Sequence, residues 1–396
     1  MEKYDIIRAA DIKALQSSVA RSSWNTLPTR WAASASAEFF TVIPNANSNT
    51  VIDVIPCKIQ GSNYIIILIS YNFSTYQHGV VSVFNTETGA IHDAMLPMNP
   101  DSDAATLTYV PCCACFVEDS NTLIVGTDSG DIMRAVLTSV ENPGYTLSFT
   151  IIRPAHFSEG VCALSCGGSA VVAACEDGAL AYSSDSGQTW ARSSGAYGLS
   201  VVRAITYVPE KDKFLFVDRV TGYVSTDHGA TWSSYRFMET TPPDPAAVVA
   251  IKAFTSADVC VLVYENGLII RIVNWLDSML NPSVGYVTQL STPTEGQALA
   301  SASFSQSLSP LNISPIYEYL LLVSGKFTKD EKKYGFIYST DLGESWDVVP
   351  TLQVPGLSDP AQPNYSFIAS SPFLQFDPYL KCFIGGSPSA ILWSFF

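Results

Sequence analysis

Ser183-Ser184-Asp185-Ser186-Gly187-Gln188-Thr189-Trp190 recurs twice more in the chain. The second copy is Ser225-Thr226-Asp227-His228-Gly229-Ala230-Thr231-Trp232, and the third is Ser339-Thr340-Asp341-Leu342-Gly343-Glu344-Ser345-Trp346. The shared form is S-x-D-x-G-x-[ST]-W, and three copies in one chain do not arise by chance. Each position has a task in a tight β-turn. The carboxylate accepts backbone N–H bonds across the turn. The glycine takes φ > 0, where a Cβ would clash. The hydroxyls satisfy neighbouring backbone groups. The tryptophan starts the next strand and brings a large ring to bury. These residues therefore read as structural.

Each copy follows an apolar hairpin. Ala170–Cys175 with Ala179–Ser183 precedes the first, Phe214–Val217 with Gly222–Ser225 the second, and Tyr319–Val323 with Gly335–Ser339 the third. Four more hairpins of this kind occur: Tyr64–Ser70 with Val80–Phe84, Thr122–Thr127 with Asp131–Leu137, Val259–Tyr264 with Leu268–Val273, and Lys381–Gly385 with Ala390–Ser394. Their turns fall near residues 78, 129, 177, 220, 266, 330 and 387. A repeat of roughly 50 residues suits four-stranded propeller blades.

The motif resembles the Asp-box (BNR) repeat of sialidases, sortilin-type receptors, xyloglucan-degrading propellers and a photosystem-assembly factor. The resemblance covers roughly residues 160–236 and 315–350. It implies a β-propeller whose boxes join third and fourth strands on the rim away from the central site, and with the seven hairpins the expectation is an all-β, seven-bladed β-propeller. An eighth blade is the alternative, because residues 274–318 form the widest gap. With seven blades that gap holds an outer strand at Gly285–Leu290 and an inner strand at Ala298–Ser305.

Composition agrees with strands. The 396 residues carry 19 Tyr, 20 Phe and 7 Trp, with only 14% DEKR. Low Lys and Glu disfavour long surface helices. The net charge of −15 leaves no basic stripe for phosphate neutralisation, so nucleic acid is not an expected partner. The one basic cluster, Lys326–Lys333, reads as a solvated hairpin tip. No apolar run has membrane-spanning length, and Met1–Arg8 lacks the apolar core of a signal peptide. Nine cysteines without a CxxC pair read as buried free thiols, with Cys113 and Cys115 on one strand face and Cys112 on the other.

Two domains follow. Residues 36–396 form the propeller, closed by Ala37–Ile43 as the missing outer strand of the last blade. Residues 1–35 form a short helical arm, with Ile12, Leu15 and Val19 at helical spacing and Trp24 and Trp31 beyond them. The arm either packs on the ring or docks into a partner. Its Ala10-Asp-Ile-Lys-Ala-Leu15 resembles N-terminal helices of tailed-bacteriophage tail and baseplate components.

No catalytic, cofactor or metal site is expected. A sialidase needs an arginine triad and an early R-I-P-type motif. This chain has ten Arg, and its sole Arg-Pro, Arg153-Pro154, follows the second hairpin. Asp101-Ser-Asp103 reads as a solvated turn. Three functions stay open. The first is a non-catalytic virion component of a phage, assembled in the host cytoplasm, bound through its arm to other virion proteins or to itself, and contacting a host glycan or receptor. The second is a glycan-binding or glycan-cleaving propeller. The third is a cytoplasmic assembly factor.

Overall fold

The computed structural model describes residues 49–73, 76–100, 108–138, 147–237, 247–265, 268–275, 283–289, 301–306, 319–329, 332–339, 341–348, 374–377, 379, 382–386 and 392–395. The arm residues Ile12, Leu15, Val19, Trp24 and Trp31, the segment Ala37–Ile43 and the pair Asp101 and Asp103 lie outside them.

The described strands make up antiparallel sheets, each an up-and-down meander. The first holds β1 (Asn49–Ile59), β2 (Ser62–Phe73), β3 (Tyr76–Asn85) and β4 (Ile91–Met95). The second holds β5 (Pro111–Val117), β6 (Thr122–Thr127), β7 (Ile132–Val136) and β8 (Thr150–Ile152). The third holds β9 (Val161–Gly167), β10 (Ala170–Cys175), β11 (Leu180–Ser183) and β12 (Ala191–Arg192). The fourth holds β13 (Ile205–Val208), β14 (Lys213–Asp218), β15 (Thr221–Ser225) and β16 (Ser233–Arg236). The fifth holds β17 (Val248–Phe254), β18 (Val259–Tyr264), β19 (Leu268–Val273) and β20 (Ser283–Gln289). The sixth holds β21 (Ser301–Gln306), β22 (Tyr319–Lys329), β23 (Lys332–Ser339) and β24 (Asp347–Val348). The last has three strands, β25 (Leu374–Asp377), β26 (Cys382–Gly386) and β27 (Leu392–Phe395).

First strands neighbour one another around a circle. β1 lies beside β5, β5 beside β9, and so on through β13, β17, β21 and β25, which returns to β1. This is the arrangement of a β-propeller. Sheets pack face on face, so second strands are covered on both sides. That is why Thr122–Thr127, Ala170–Cys175 and Val259–Tyr264 are buried at every residue and read as unbroken apolar runs. One apolar seam joins the second and third sheets through Cys115, Ile124, Ile132, Val161, Val171 and Ala181. The next joins the third and fourth through Ala163, Val172, Leu180, Phe214, Phe216 and Trp232.

The gap at 274–318 divides as expected, with β20 as an outer strand and β21 as an inner one, and no further sheet occurs there among the described residues. The first hairpin is longer than its apolar core. Pairing continues through Tyr71↔His78, Asn72↔Gln77 and Phe73↔Tyr76, so residue 78 lies within the ladder and not at its turn. Polar residues are accepted there because the register of the ladder carries on past the buried stretch. The thiols need correction. Cys57, Cys115, Cys175 and Cys260 are buried, and Cys113 and Cys115 do share a face, but Cys113, Cys162 and Cys166 are half-buried, and Cys112 is exposed because the ladder between β5 and β6 shifts register there.

One recurring device has a faint sequence signal. Three of the turns from a first to a second strand are single 3₁₀ turns, at Glu118–Ser120, Pro209–Lys211 and Thr255–Ala257. Each ends on a left-handed Asn or Asp, namely Asn121 (φ 46°), Asp212 (φ 49°) and Asp258 (φ 48°). Asn and Asp tolerate that conformation better than other side chains.

Candidate functional site

The three S-x-D-x-G-x-[ST]-W turns connect third to fourth strands: β11 to β12, β15 to β16 and β23 to β24. Their hydrogen bonds repeat atom for atom. In the first, Ser183 Oγ donates to Asp185 Oδ1 at 2.7 Å and accepts the Gly187 N–H at 2.9 Å. Asp185 Oδ1 also accepts the Thr189 N–H at 2.9 Å, while Oδ2 accepts the Thr189 hydroxyl at 2.6 Å. Ser225, Asp227, Gly229 and Thr231 give 2.8, 2.8, 2.8 and 2.6 Å for the same four bonds. Ser339, Asp341, Gly343 and Ser345 give 2.7, 2.9, 2.9 and 2.5 Å. The last hydroxyl of each motif therefore serves the carboxylate and not the backbone.

Two consecutive residues are left-handed in each turn. They are Ser186 (φ 56°) with Gly187 (φ 77°), His228 (φ 59°) with Gly229 (φ 90°), and Leu342 (φ 58°) with Gly343 (φ 85°). Burial works against ionisation of the three aspartates. The hydroxyl and amide bonds outweigh it and hold Asp185, Asp227 and Asp341 below the usual carboxylate range.

The turns also reach across to the preceding sheet, which the motif alone does not reveal. A Cβ on Gly187 would lie 2.6 Å from Ile124 Cδ1, and one on Gly229 would lie 2.4 Å from Val172 Cγ2. Gly343 stands over Val261 in the same way. Ile124, Val172 and Val261 all sit on second strands, paired across to Arg134, Tyr182 and Arg271 on third strands. These partners complete the seam. Arg134 Nε donates to Ser186 O at 2.9 Å, the Tyr182 Cβ flanks Gly229, and Arg271 pairs with Glu344 at 3.3 Å. The second turn is sewn further to the end of the third sheet. Ser193 Oγ donates to Gly229 O at 2.6 Å, and the Trp232 N–H donates to Ser194 O at 2.9 Å.

The tryptophans differ among themselves. Trp232 is 4% exposed and meets Phe216 edge-on at 4.7 Å. Trp190 and Trp346 are only half-buried against their seams, which corrects the expectation of a fully buried ring at every copy. Trp232 packs with Ala196 and is tied by its backbone to Ser194 of the neighbouring turn. Where the fifth sheet lacks the motif, Trp275 fills the corresponding seam and is 2% exposed.

Asp53 and Lys252 are among the other perturbed groups. Asp53, at a bulge of β1, is pushed up to about 6 by burial, against bonds from the Val54 and Ala114 N–H groups and the Gln375 side chain. Burial lowers the Lys252 amine, with Glu210 opposing. β1 and β17 are not neighbours in the circle, so the two are not brought together as an acid–base pair. Among the described residues no group of three or more His, Cys, Asp or Glu is placed to hold a metal ion. No described helix is long and apolar enough to cross a membrane.

The BNR/Asp-box repeat family matches residues 223–234, which is the second turn with the end of its preceding strand. No curated protein sequence matches the chain. Among solved structures, the chain is similar to one in "YCF48 bound to D1 peptide", with TM-score 0.54 and 10% identity over 88% of this chain and 92% of that one. It is also similar to a chain in "Crystal Structure of Mitotic Checkpoint Complex", with TM-score 0.52 and 12% identity over 89% and 87%. At these identities the likeness is one of fold.

Proposed function

We propose that the chain is a non-catalytic docking propeller of seven blades that presents its loops to protein partners. One observation carries the reading. The polar atoms of the repeated motif are spent on one another and on the neighbouring sheet, so its aspartates act as cross-braces and not as acids, bases or ligands. One of the two similar structures is bound to a peptide and the other belongs to a protein complex, which favours the same use of the ring here.

The finer reading is a virion component of a tailed bacteriophage, held in the particle by residues 1–35. The likeness of Ala10–Leu15 to tail and baseplate helices supports it, and so does the apolar set Ile12, Leu15 and Val19. Three such side chains bring ~1.5–3 kcal/mol each when fully buried. That suits docking repeated many times in an assembly. Mass-spectrometric inventory of purified particles tests this. The chain is expected at a fixed ratio to the tail proteins, and its presence only in the unassembled lysate fraction would reject the virion role.

A further inference from the structure

The thiols are not spread evenly through the ring. The seam between the second and third sheets takes Cys113 and Cys115 from β5, Cys166 from β9 and Cys175 from β10. Their sulfurs have different partners. Cys113 Sγ donates to Val161 O at 3.6 Å, and Cys175 Sγ donates to Glu159 O at 3.0 Å. Cys162 lies on the other side of β9, in the seam with the fourth sheet, where its Sγ donates to Val202 O at 3.2 Å. Cys115 and Cys166 meet each other. They stand on neighbouring inner strands, β5 and β9. Cys166 Sγ reaches across to Phe116 O at 3.1 Å, one residue from Cys115, and the two thiols are bonded together.

We propose that Cys115 and Cys166 are an oxidisable pair that closes into a reversible disulfide between the second and third sheets. Unequal burial sets the order of events. Cys166 is half-buried at the end of β9, next to Gly167, whereas Cys115 is buried within β5. A low-molecular-weight disulfide such as oxidised glutathione meets Cys166 first. The Cys166 thiol loses its proton to water, and its thiolate attacks one glutathione sulfur. The glutathione S–S bond breaks, a bond from Cys166 Sγ to glutathione forms, and one glutathione leaves as its thiolate. The bond to the Cys166 thiol is the largest cause that keeps Cys115 protonated, with burial second. Capping Cys166 removes that cause. Cys115 then gives up its proton, and its sulfur attacks Cys166 Sγ and expels the second glutathione. The two leaving thiolates take up the two protons. Two protein thiols are thereby oxidised, and one glutathione disulfide is reduced to two thiols.

The link adds a covalent tie to a seam otherwise held by apolar packing and by bonds such as Arg134 Nε to Ser186 O. Closing a long loop restricts the unfolded chain, so the oxidised ring is the more stable form. The two cysteines lie far apart in sequence, which is why no CxxC spacing marks them. The chemistry is independent of what the ring docks to.

The test uses the full chain carrying Cys112→Ser, which removes the exposed competing thiol. The chain is incubated with oxidised glutathione, alkylated under denaturing conditions without reductant, digested and read by mass spectrometry. A peptide containing Cys115 should be linked to one containing Cys166, the protein should run as a monomer on a non-reducing gel, and dithiothreitol should release the link. With Cys115→Ala added, Cys166 should stop at the glutathione adduct. With Cys166→Ala added, Cys115 should be recovered alkylated and unlinked. The linked peptide is read without either alanine variant, so a variant that misfolds leaves the result intact. The urea midpoint should rise on oxidation and return on reduction. Free thiols at both Cys115 and Cys166 after oxidation overturn the proposal, and so does a link from either one to a different cysteine or to a second copy of the chain.

Discussion

Gly229 carries a φ of 90°, and a Cβ there would stand 2.4 Å from Val172 Cγ2 and 3.2 Å from Tyr182 Cβ. Gly343 has φ 85°, but its nearest neighbour would be Val261 Cγ2 at 3.3 Å. Both alanine variants suffer the left-handed strain, and only the first drives a methyl into the seam. Gly229→Ala should cost roughly 2–4 kcal/mol and Gly343→Ala about 1–2 kcal/mol, read from urea midpoints. Equal costs would contradict the seam contact. The tryptophans should separate in the same way. Trp232→Ala should cost ~3–5 kcal/mol as a large buried ring is lost, and Trp190→Ala roughly 1–3 kcal/mol because its ring is half-buried. The motif residues were legible from spacing, since each has one conformational task. Their reach onto Ile124, Val172 and Val261 was not. That contact depends on how adjacent sheets stack, and no local pattern marks Arg134, Tyr182 and Arg271 as its third members.

At the scale of the element, two kinds of carboxylate give opposite pH responses. Asp185, Asp227 and Asp341 lie below their unfolded value, so each adds stability above pH ~4 that is lost as acid protonates the folded form. Asp227→Asn should lower the Tm at pH 7 and flatten its fall below pH ~4. Asp53 has the other sign. Its folded value of about 6 exceeds the unfolded one, so its contribution is greatest below pH ~4 and declines as pH rises to about 6. The thiols facing it, Cys113 and Cys115, are held neutral across that range, Cys113 by burial and Cys115 by a bond with Cys166 and then by burial. Asp53→Asn should therefore raise the Tm at pH 7 and leave it nearly unchanged at pH 4, by calorimetry. A lower Tm at both pH values would show that the ionised carboxylate is a favourable brace between β1, β5 and β25. Strand hairpins were readable because buried second strands have continuous apolar runs. Asp53 was not, because a single acid in Val51-Ile-Asp-Val-Ile55 gives no sign of the bulge that turns it toward Ala114.

For the whole molecule, the ring and its sheet order follow from the recurrence of hairpins, and the likeness to other propellers agrees. Function was less legible, since one fold serves many purposes and the repeated motif is absorbed by packing. The central claim is that the ring is a passenger held by its arm. A single variant separates arm from ring. Leu15→Asp places a charge in the middle of the set Ile12, Leu15 and Val19, far in sequence from every described strand. The measurement is incorporation of the Leu15→Asp chain into assembling particles, with the Tm of the free protein as control. The prediction is loss of the chain from particles with an unchanged Tm. Normal incorporation of Leu15→Asp would contradict the anchor.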